Sequence, residues 1–279
     1  MIDRRVNAGG LGWQVRHAGE GPGLVRIHGA GASLHSWDSL TPLLSQAFRV
    51  TRMDLPGHAN SEAVAPGLYS LRRTATGVAA LCAHLELDSP IGLGHSAGGA
   101  IAMSWWLQEH EPRPGRLLAI NPALLPFSGV AGVMFPAMAK IAAMLPLLDS
   151  AIAARARKTS EVQRLIEGTG SVLRDVDTAR YQALRARPSH VRAVLEMMAG
   201  WRLDGLIDAW CANPLPLDIL LGAKDRAVPP QKTQAELDGL ASFLNLNGAG
   251  HLAHEEAPEA VATWIREITG FNYEREQYG

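Results

Sequence analysis

The pentapeptide Gly94-His95-Ser96-Ala97-Gly98 sets a serine between two glycines, each two residues away. That spacing suits a sharp strand-to-helix turn that lifts a hydroxyl clear of the backbone, with glycines allowing strand and helix to approach closely. A serine at its free pKa is a poor nucleophile, so it needs a base within hydrogen-bond reach and a group to orient that base. His251, in Gly248-Ala249-Gly250-His251, supplies an imidazole, and Asp225, in Gly222-Ala223-Lys224-Asp225-Arg226, supplies a carboxylate. The chain order Ser96, Asp225, His251 is the one found where such a turn opens a helix. The chemistry is acyl transfer: the hydroxyl attacks, the imidazole carries the proton, and the carboxylate holds the imidazole. No metal and no organic cofactor is called for. A developing oxyanion needs backbone N–H donors, and those of Ala30, in His28-Gly29-Ala30-Gly31-Ala32, and Ala97 are the candidates.

The competing residues read differently. His254 lies three positions past His251 and reads as the start of a helix rather than as the base. His251-x-x-His254-Glu255 is not H-E-x-x-H and brings no third ligand, so no metal site is expected. Asp204 and Asp208 read as solvated acids, and Asp218 opens a strand. His28 and His95 read as structural histidines flanking the site, and Asp54-Leu55-Pro56-Gly57-His58 as a turn shaping its edge.

These residues must be positioned by something. Short apolar runs at 24–28, 48–54, 90–94, 117–121, 217–222 and 242–247 alternate with helical patterns, which predicts a mostly parallel sheet covered on both faces. Residues 12–17 add an antiparallel strand at one edge. Leu71, Ala75, Val78, Cys82 and Leu85 fall at helical spacing behind the capping Ser70. A helix runs from Ala97 through Trp105 and Trp106, and Pro258 opens another that buries Val261, Trp264, Ile265 and Ile268. Ser96, Asp225 and His251 each follow a strand, where open α/β sheets build their sites. From residue 122 to 208 the alternation stops and the pattern is helical. Residues 1–121 and 209–279 therefore read as one α/β core, with 122–208 as an inserted helical cap. The polar tail from Asn272 reads as frayed.

Composition removes whole classes of function. The 279 residues are 47% hydrophobic and 19% charged, with a net charge of −1, so nothing points to nucleic acid. Two cysteines make no disulfide framework and read as reduced, buried residues of a cytosolic protein. The first residues lack the apolar core of a signal peptide. Residues 117–139 carry no charge, but Pro122, Pro126 and Pro136 with Gly129 and Gly132 argue against a spanning helix. Surface contact with a membrane is the alternative.

The elbow, the His28-Gly29 loop, Asp54-Leu55-Pro56-Gly57-His58 and Gly250-His251 together resemble the α/β-hydrolase superfamily over nearly the whole chain. More narrowly, the chain resembles the BchO family, magnesium-chelatase accessory proteins of bacteriochlorophyll biosynthesis. The segments carrying this are His28-Gly29-Ala30-Gly31-Ala32-Ser33-Leu34-His35-Ser36-Trp37 and Asn121-Pro122-Ala123-Leu124-Leu125-Pro126-Phe127. Gly168-Thr169-Gly170-Ser171, Met197-Met198-Ala199-Gly200-Trp201 and Gly250-His251-Leu252-Ala253-His254-Glu255-Glu256 add to it. One departure is Ala59, where hydrolases often have a second glycine, which bears on a local turn. The resemblance implies a role near magnesium insertion into protoporphyrin IX, with chelatase subunits as partners, in the cytoplasm or peripherally at the inner membrane. It implies no particular reaction. Dehalogenases and epoxide hydrolases of this fold use an aspartate nucleophile, whereas serine at position 96 suits hydrolysis of an ester or acyl bond.

Two features of the cap bear on the ligand. Met134, Met138, Met144, Met197, Met198 and Trp201 either line a broad pocket for a bulky apolar, tetrapyrrole-like molecule or form the cap's own core. Nine Arg or Lys against four acids between Ala151 and Arg192 make either a solvated face or an attraction for an anionic amphiphile, a porphyrin propionate or an acidic membrane. Three readings follow: a serine hydrolase of a bulky apolar substrate, a noncatalytic porphyrin-binding accessory, and a hydrolase of carbon–carbon bonds in diketones.

Overall fold

A computed structural model describes residues 2–109, 111–126, 141–142, 144–145 and 147–271. Eight strands form one sheet in the order β1-β2-β4-β3-β5-β6-β7-β8. They are β1 (Ile2–Ala8), β2 (Leu11–Ala18), β3 (Gly23–Ile27), β4 (Arg49–Met53), β5 (Ile91–His95), β6 (Arg116–Ile120), β7 (Leu217–Gly222) and β8 (Ser242–Leu246). From β4 to β8 the sheet is parallel, and β2 joins it antiparallel through Val15 opposite Met53. Residues 12–17 lie one position in from the edge, because β1 pairs outside them. The sequence hides β1 because Asp3, Arg4 and Arg5 break any apolar pattern. Such charges suit an edge strand, whose free backbone would otherwise invite pairing with another chain.

The helices are α1 (Thr41–Leu44), α2 (Leu71–His84), α3 (Ala97–Trp106), α4 (Leu148–Arg155), α5 (Thr159–Gly168), α6 (Asp175–Arg185), α7 (Pro188–Gly200), α8 (Leu206–Ala212), α9 (Pro230–Glu236), α10 (Ala253–Glu256) and α11 (Pro258–Thr269). Side-chain alternation along the strands divides the core. Val25, Ile27, Ala119 and Ile219 pack with α2 and α3 on one face. Leu24, Leu93, Leu118 and Leu220 pack with α1 and α11 on the other. Ser70 caps α2, its side chain accepting from the Arg73 N–H at 3.4 Å. Cys82 is buried inside α2, but Cys211 in α8 is exposed, contrary to the expectation that both cysteines are buried.

Register fixes where the site can be. Ile27 stands beside Gly94, His95 beside Ile120, and Gly222 beside Leu246, so five parallel strands end along one line. Helices α4 to α8 occupy the chain between β6 and β7. No helix among the described residues is long and apolar enough to cross a membrane. Met134 and Met138 lie outside the described residues, as does the tail from Asn272.

Candidate active site

Ser96 sits at the corner between β5 and α3 with φ 52° and ψ −118°, a region that residues other than glycine rarely enter. Sterics impose this corner. A Cβ on Gly94 would collide with the backbone of Gly98, and one on Gly98 with the carbonyl of Ile27. The Ser96 carbonyl accepts from the N–H groups of Gly99 and Ala123, both at 3.0 Å, and its own N–H donates to Ile120 at 3.1 Å. The hydroxyl makes no hydrogen bond among the described residues.

His251 and Asp225 meet. The imidazole Nδ1 lies 2.7 Å from Oδ2 of Asp225, whose other oxygen accepts from the N–H groups of Ala227 and Val228 at 2.8 and 2.9 Å. The carboxylate is buried with both oxygens engaged, and it fixes the ring through Nδ1. Ser96 and His251 line one cavity of about 130 Å³ with Gly29, Ala30, Gly31, Val162, Leu165, Ile166, Tyr181 and Arg185. The sequence-predicted histidine and aspartate are joined by a hydrogen bond, and the serine lines the same cavity as the histidine without a hydrogen bond between Ser96 and His251. Ala30 lies on the cavity wall, and Ala97 opens α3 directly behind Ser96. Neither N–H of this pair donates to another described residue. A cleft of about 580 Å³ between the β1–β2 turn and Ala63–Val64 contains none of these residues.

Met197 and Trp201 are not brought to this cavity. Met197 is buried in the core on the α2 and α3 face, and Trp201 packs against the same core. Helical periodicity tells that a methionine is buried, and says nothing about whether a ligand or a neighbouring helix buries it. Asp218 pairs with Arg116 at 2.7 Å, and Asp204 and Asp208 are exposed. His254 is enclosed between Trp37 and His95, ring centroids 4.5 and 4.4 Å away, in α10.

Other residues hold the site: His28, His58 and His95 read from the sequence as structural or edge-shaping, whereas the sequence assigned no part to Asn121 or His190. Asn121, at the end of β6, donates through Nδ2 to the carbonyls of Gly250 and His251 at 2.9 and 2.8 Å and accepts the Gly222 N–H at 2.7 Å. One amide therefore ties the loop of the imidazole to the strand that leads to the carboxylate. His95 adds a second donor to the His251 carbonyl, with Nε2 at 2.8 Å. Gly31, beside Ala30, is clasped from both sides. Its N–H reaches Nε2 of His58 at 3.4 Å, and its carbonyl lies 3.2 Å from Nε2 of His190 on α7. His28 bridges within the loop, its Nδ1 to the Gly29 carbonyl at 2.7 Å and its Nε2 accepting the Leu55 N–H at 2.9 Å. Burial holds these rings neutral: it lowers His58 to about 4, His190 to about 3 and His254 to about 3, and takes His28 and His95 well below their usual value. On the far wall Tyr181 donates to Oε1 of Glu255 at 2.6 Å, and burial raises that carboxyl to about 8.

Residues 24–264 match the model of the alpha/beta hydrolase family, and the chain belongs to that family. It is 38% identical over 265 residues to the magnesium-chelatase 30 kDa subunit of Rhodobacter capsulatus, covering 94% of this chain and 92% of that protein. The resemblance read from the motif segments is borne out by this match. It is also 28% identical over 271 residues to a pimeloyl-[acyl-carrier protein] methyl ester esterase of Methylococcus capsulatus, covering 92% and 98%. Among solved structures, an alpha/beta hydrolase fold protein from Burkholderia ambifaria superposes with a TM-score of 0.78 at 26% identity, covering 96% and 98% of the two chains.

Proposed function

We propose that this chain is a serine hydrolase that cleaves an ester or related acyl bond on a bulky apolar molecule, acting alongside magnesium chelatase in tetrapyrrole metabolism. The observation that carries the hydrolytic reading is the Asp225–His251 hydrogen bond at 2.7 Å, with the ring and Ser96 on one cavity wall. Ser96 Oγ attacks the carbonyl carbon while Nε2 of His251 takes its proton, and Asp225 stabilises the imidazolium that forms. The oxyanion is received by the N–H groups of Ala30 and Ala97. Collapse expels the alcohol, which takes the proton from His251, and leaves an acyl-enzyme. Water, deprotonated by the same Nε2, releases the acid and restores the serine.

The cavity limits what enters. At about 130 Å³ it is smaller than the roughly 300 Å³ at which sites for drug-sized ligands begin. It suits an acyl group or an ester-bearing arm, with any ring system held outside. Helices α4 to α7 act in this reading as a cap over the sheet, and residues 122–208 are its extent. The exposed Ile141, Met144, Leu145 and Leu147 lie at its edge, where a peripheral membrane contact would form.

A fluorophosphonate probe tests the nucleophile. Native protein is expected to be labelled at Ser96 and Ser96→Ala to lose both the label and roughly 10⁴-fold or more of ester turnover. The chelatase-subunit relative favours a second reading, a noncatalytic carrier of porphyrin. Absence of label on well-folded native protein would sink the hydrolase in favour of that carrier. Cleavage of a diketone with no cleavage of esters would instead assign the same residues to carbon–carbon hydrolysis.

A further inference from the structure

Helices α5 and α6 contribute the apolar residues Val162, Leu165 and Ile166 to the wall facing Ser96, together with one cation, Arg185. The other charged side chains of this region are either matched or exposed. Arg155 and Arg164 both pair with Glu161, at 3.3 and 3.4 Å. Arg174 pairs with Asp177 at 2.7 Å, Arg180 with Asp177 and Asp38 at 3.0 and 3.3 Å, and Arg192 with Asp149 at 3.1 Å. Arg157 and Lys158 point to solvent. Arg185 is half-buried and has neither a hydrogen bond nor an ion pair among the described residues. Residues 127–146, mostly outside the description, include no Asp or Glu that could supply one. Burial alone lowers its pKa, with no carboxylate acting in the opposite direction.

A guanidinium withdrawn from water and left unmatched is costly unless a ligand completes it. Its location says which ligand. Arg185, Val162 and Leu165 also line a second cavity of about 270 Å³, with Ile152, Arg155 and Glu161, so Arg185 stands on the partition between the two. A molecule whose scissile bond lies at Ser96 and whose body continues into the outer cavity must pass it. Among the described lining of both cavities no other cation is unpaired, so the complementary charge is single. A carboxylate, which a guanidinium grips with two parallel hydrogen bonds, fits that better than a doubly charged phosphate.

We propose that Arg185 is the specificity-determining residue of this site, and that the substrate is an ester carrying a free carboxylate a few carbons from the scissile bond along an apolar chain. This rests on Ser96 being the nucleophile. The test compares 4-nitrophenyl monoesters of C5–C8 dicarboxylic acids with the 4-nitrophenyl esters of the matching monocarboxylic acids. Native protein is expected to favour the carboxylated series through KM. In Arg185→Gln the ratio of kcat/KM between the two series should fall by roughly 10- to 100-fold. Arg185→Lys, which keeps the charge without the fork, should recover part of that ratio. Equal losses on both series, or a native protein that does not distinguish them, overturns the proposal. The calorimetric affinity of Ser96→Ala for monomethyl against dimethyl pimelate makes the same comparison without turnover. If no ester is cleaved and Ser96 takes no label, the hydrolase reading falls. The monomethyl preference, and its loss in Ser96→Ala/Arg185→Gln, then decides the role of Arg185 by itself.

Discussion

In the proposed reaction three side chains carry the chemistry, and Asn121 ties together the segments that bear two of them. Removing its amide leaves the Gly222 N–H unpaired, takes one donor from His251 and strips the Gly250 carbonyl of its side-chain donor, all in buried surroundings. Asn121→Ala should therefore cost about 2–4 kcal/mol in urea denaturation. It should also lower kcat more than it raises KM, because the loop that carries the imidazole loses its anchor. The places of Ser96, Asp225 and His251 beyond the ends of β5, β7 and β8 were legible in the sequence because each follows an apolar run and a glycine-bearing turn. Asn121 was not. Its residue type points to no partner, and only coordinates reveal that its three hydrogen bonds reach residues more than a hundred positions away. His190 escaped for the same reason, since its partners Ala59 and Gly31 come from a different part of the chain.

At the scale of elements, the junction between α5 and α6 works as a clip. Thr169 accepts the Arg226 N–H at 3.0 Å, and Ser171 Oγ accepts the Leu252 N–H at 2.8 Å. Gly170 lies between them with φ 86°, and a Cβ there would collide with the Lys224 carbonyl. The loops bearing Asp225 and His251 are thus both gripped by the segment that roofs the cavity. Gly170→Ala should destabilise by about 2 kcal/mol or more and reduce turnover, readable as a lower midpoint of thermal unfolding with a parallel loss of esterase rate. The helical character of this region was readable from its period, and α5, α6 and α7 fall within the stretch 122–208 read as helical. Gly168-Thr169-Gly170-Ser171 stood out as a family segment, while its mechanical role did not, since contact between a loop and two others has no periodic signature. Strand β1 was missed because an edge strand is specified by backbone pairing more than by side-chain pattern.

Across the whole molecule, buried titratable groups set how stability responds to pH. His17 and His58 are held at about 4 and His190 and His254 at about 3, so each stays neutral in the folded chain but takes a proton on unfolding below about 6.5. Their contribution is complete above pH 6.5 and lost as pH falls towards 4, at up to about 1.4 kcal/mol per pH unit for each ring. Glu255 acts in the opposite direction: with its carboxyl raised to about 8, folding binds its proton, and that stability declines as pH rises from about 4.5 to 8. Four rings outweigh one carboxyl below pH 6.5, so the melting temperature should climb steeply to near that value and then slope gently down. Glu255→Gln should flatten the alkaline slope and leave the acid limb in place. A melting temperature that is level between pH 4.5 and 6.5 would contradict the neutral assignment of the histidines. The corner at Ser96 has a different consequence. With φ at 52°, its backbone holds roughly 1–3 kcal/mol that unfolding would release. A chain shaped for durability alone would turn there on glycine. The hydroxyl is kept at that bend at the expense of a protein easier to melt than its scaffold requires.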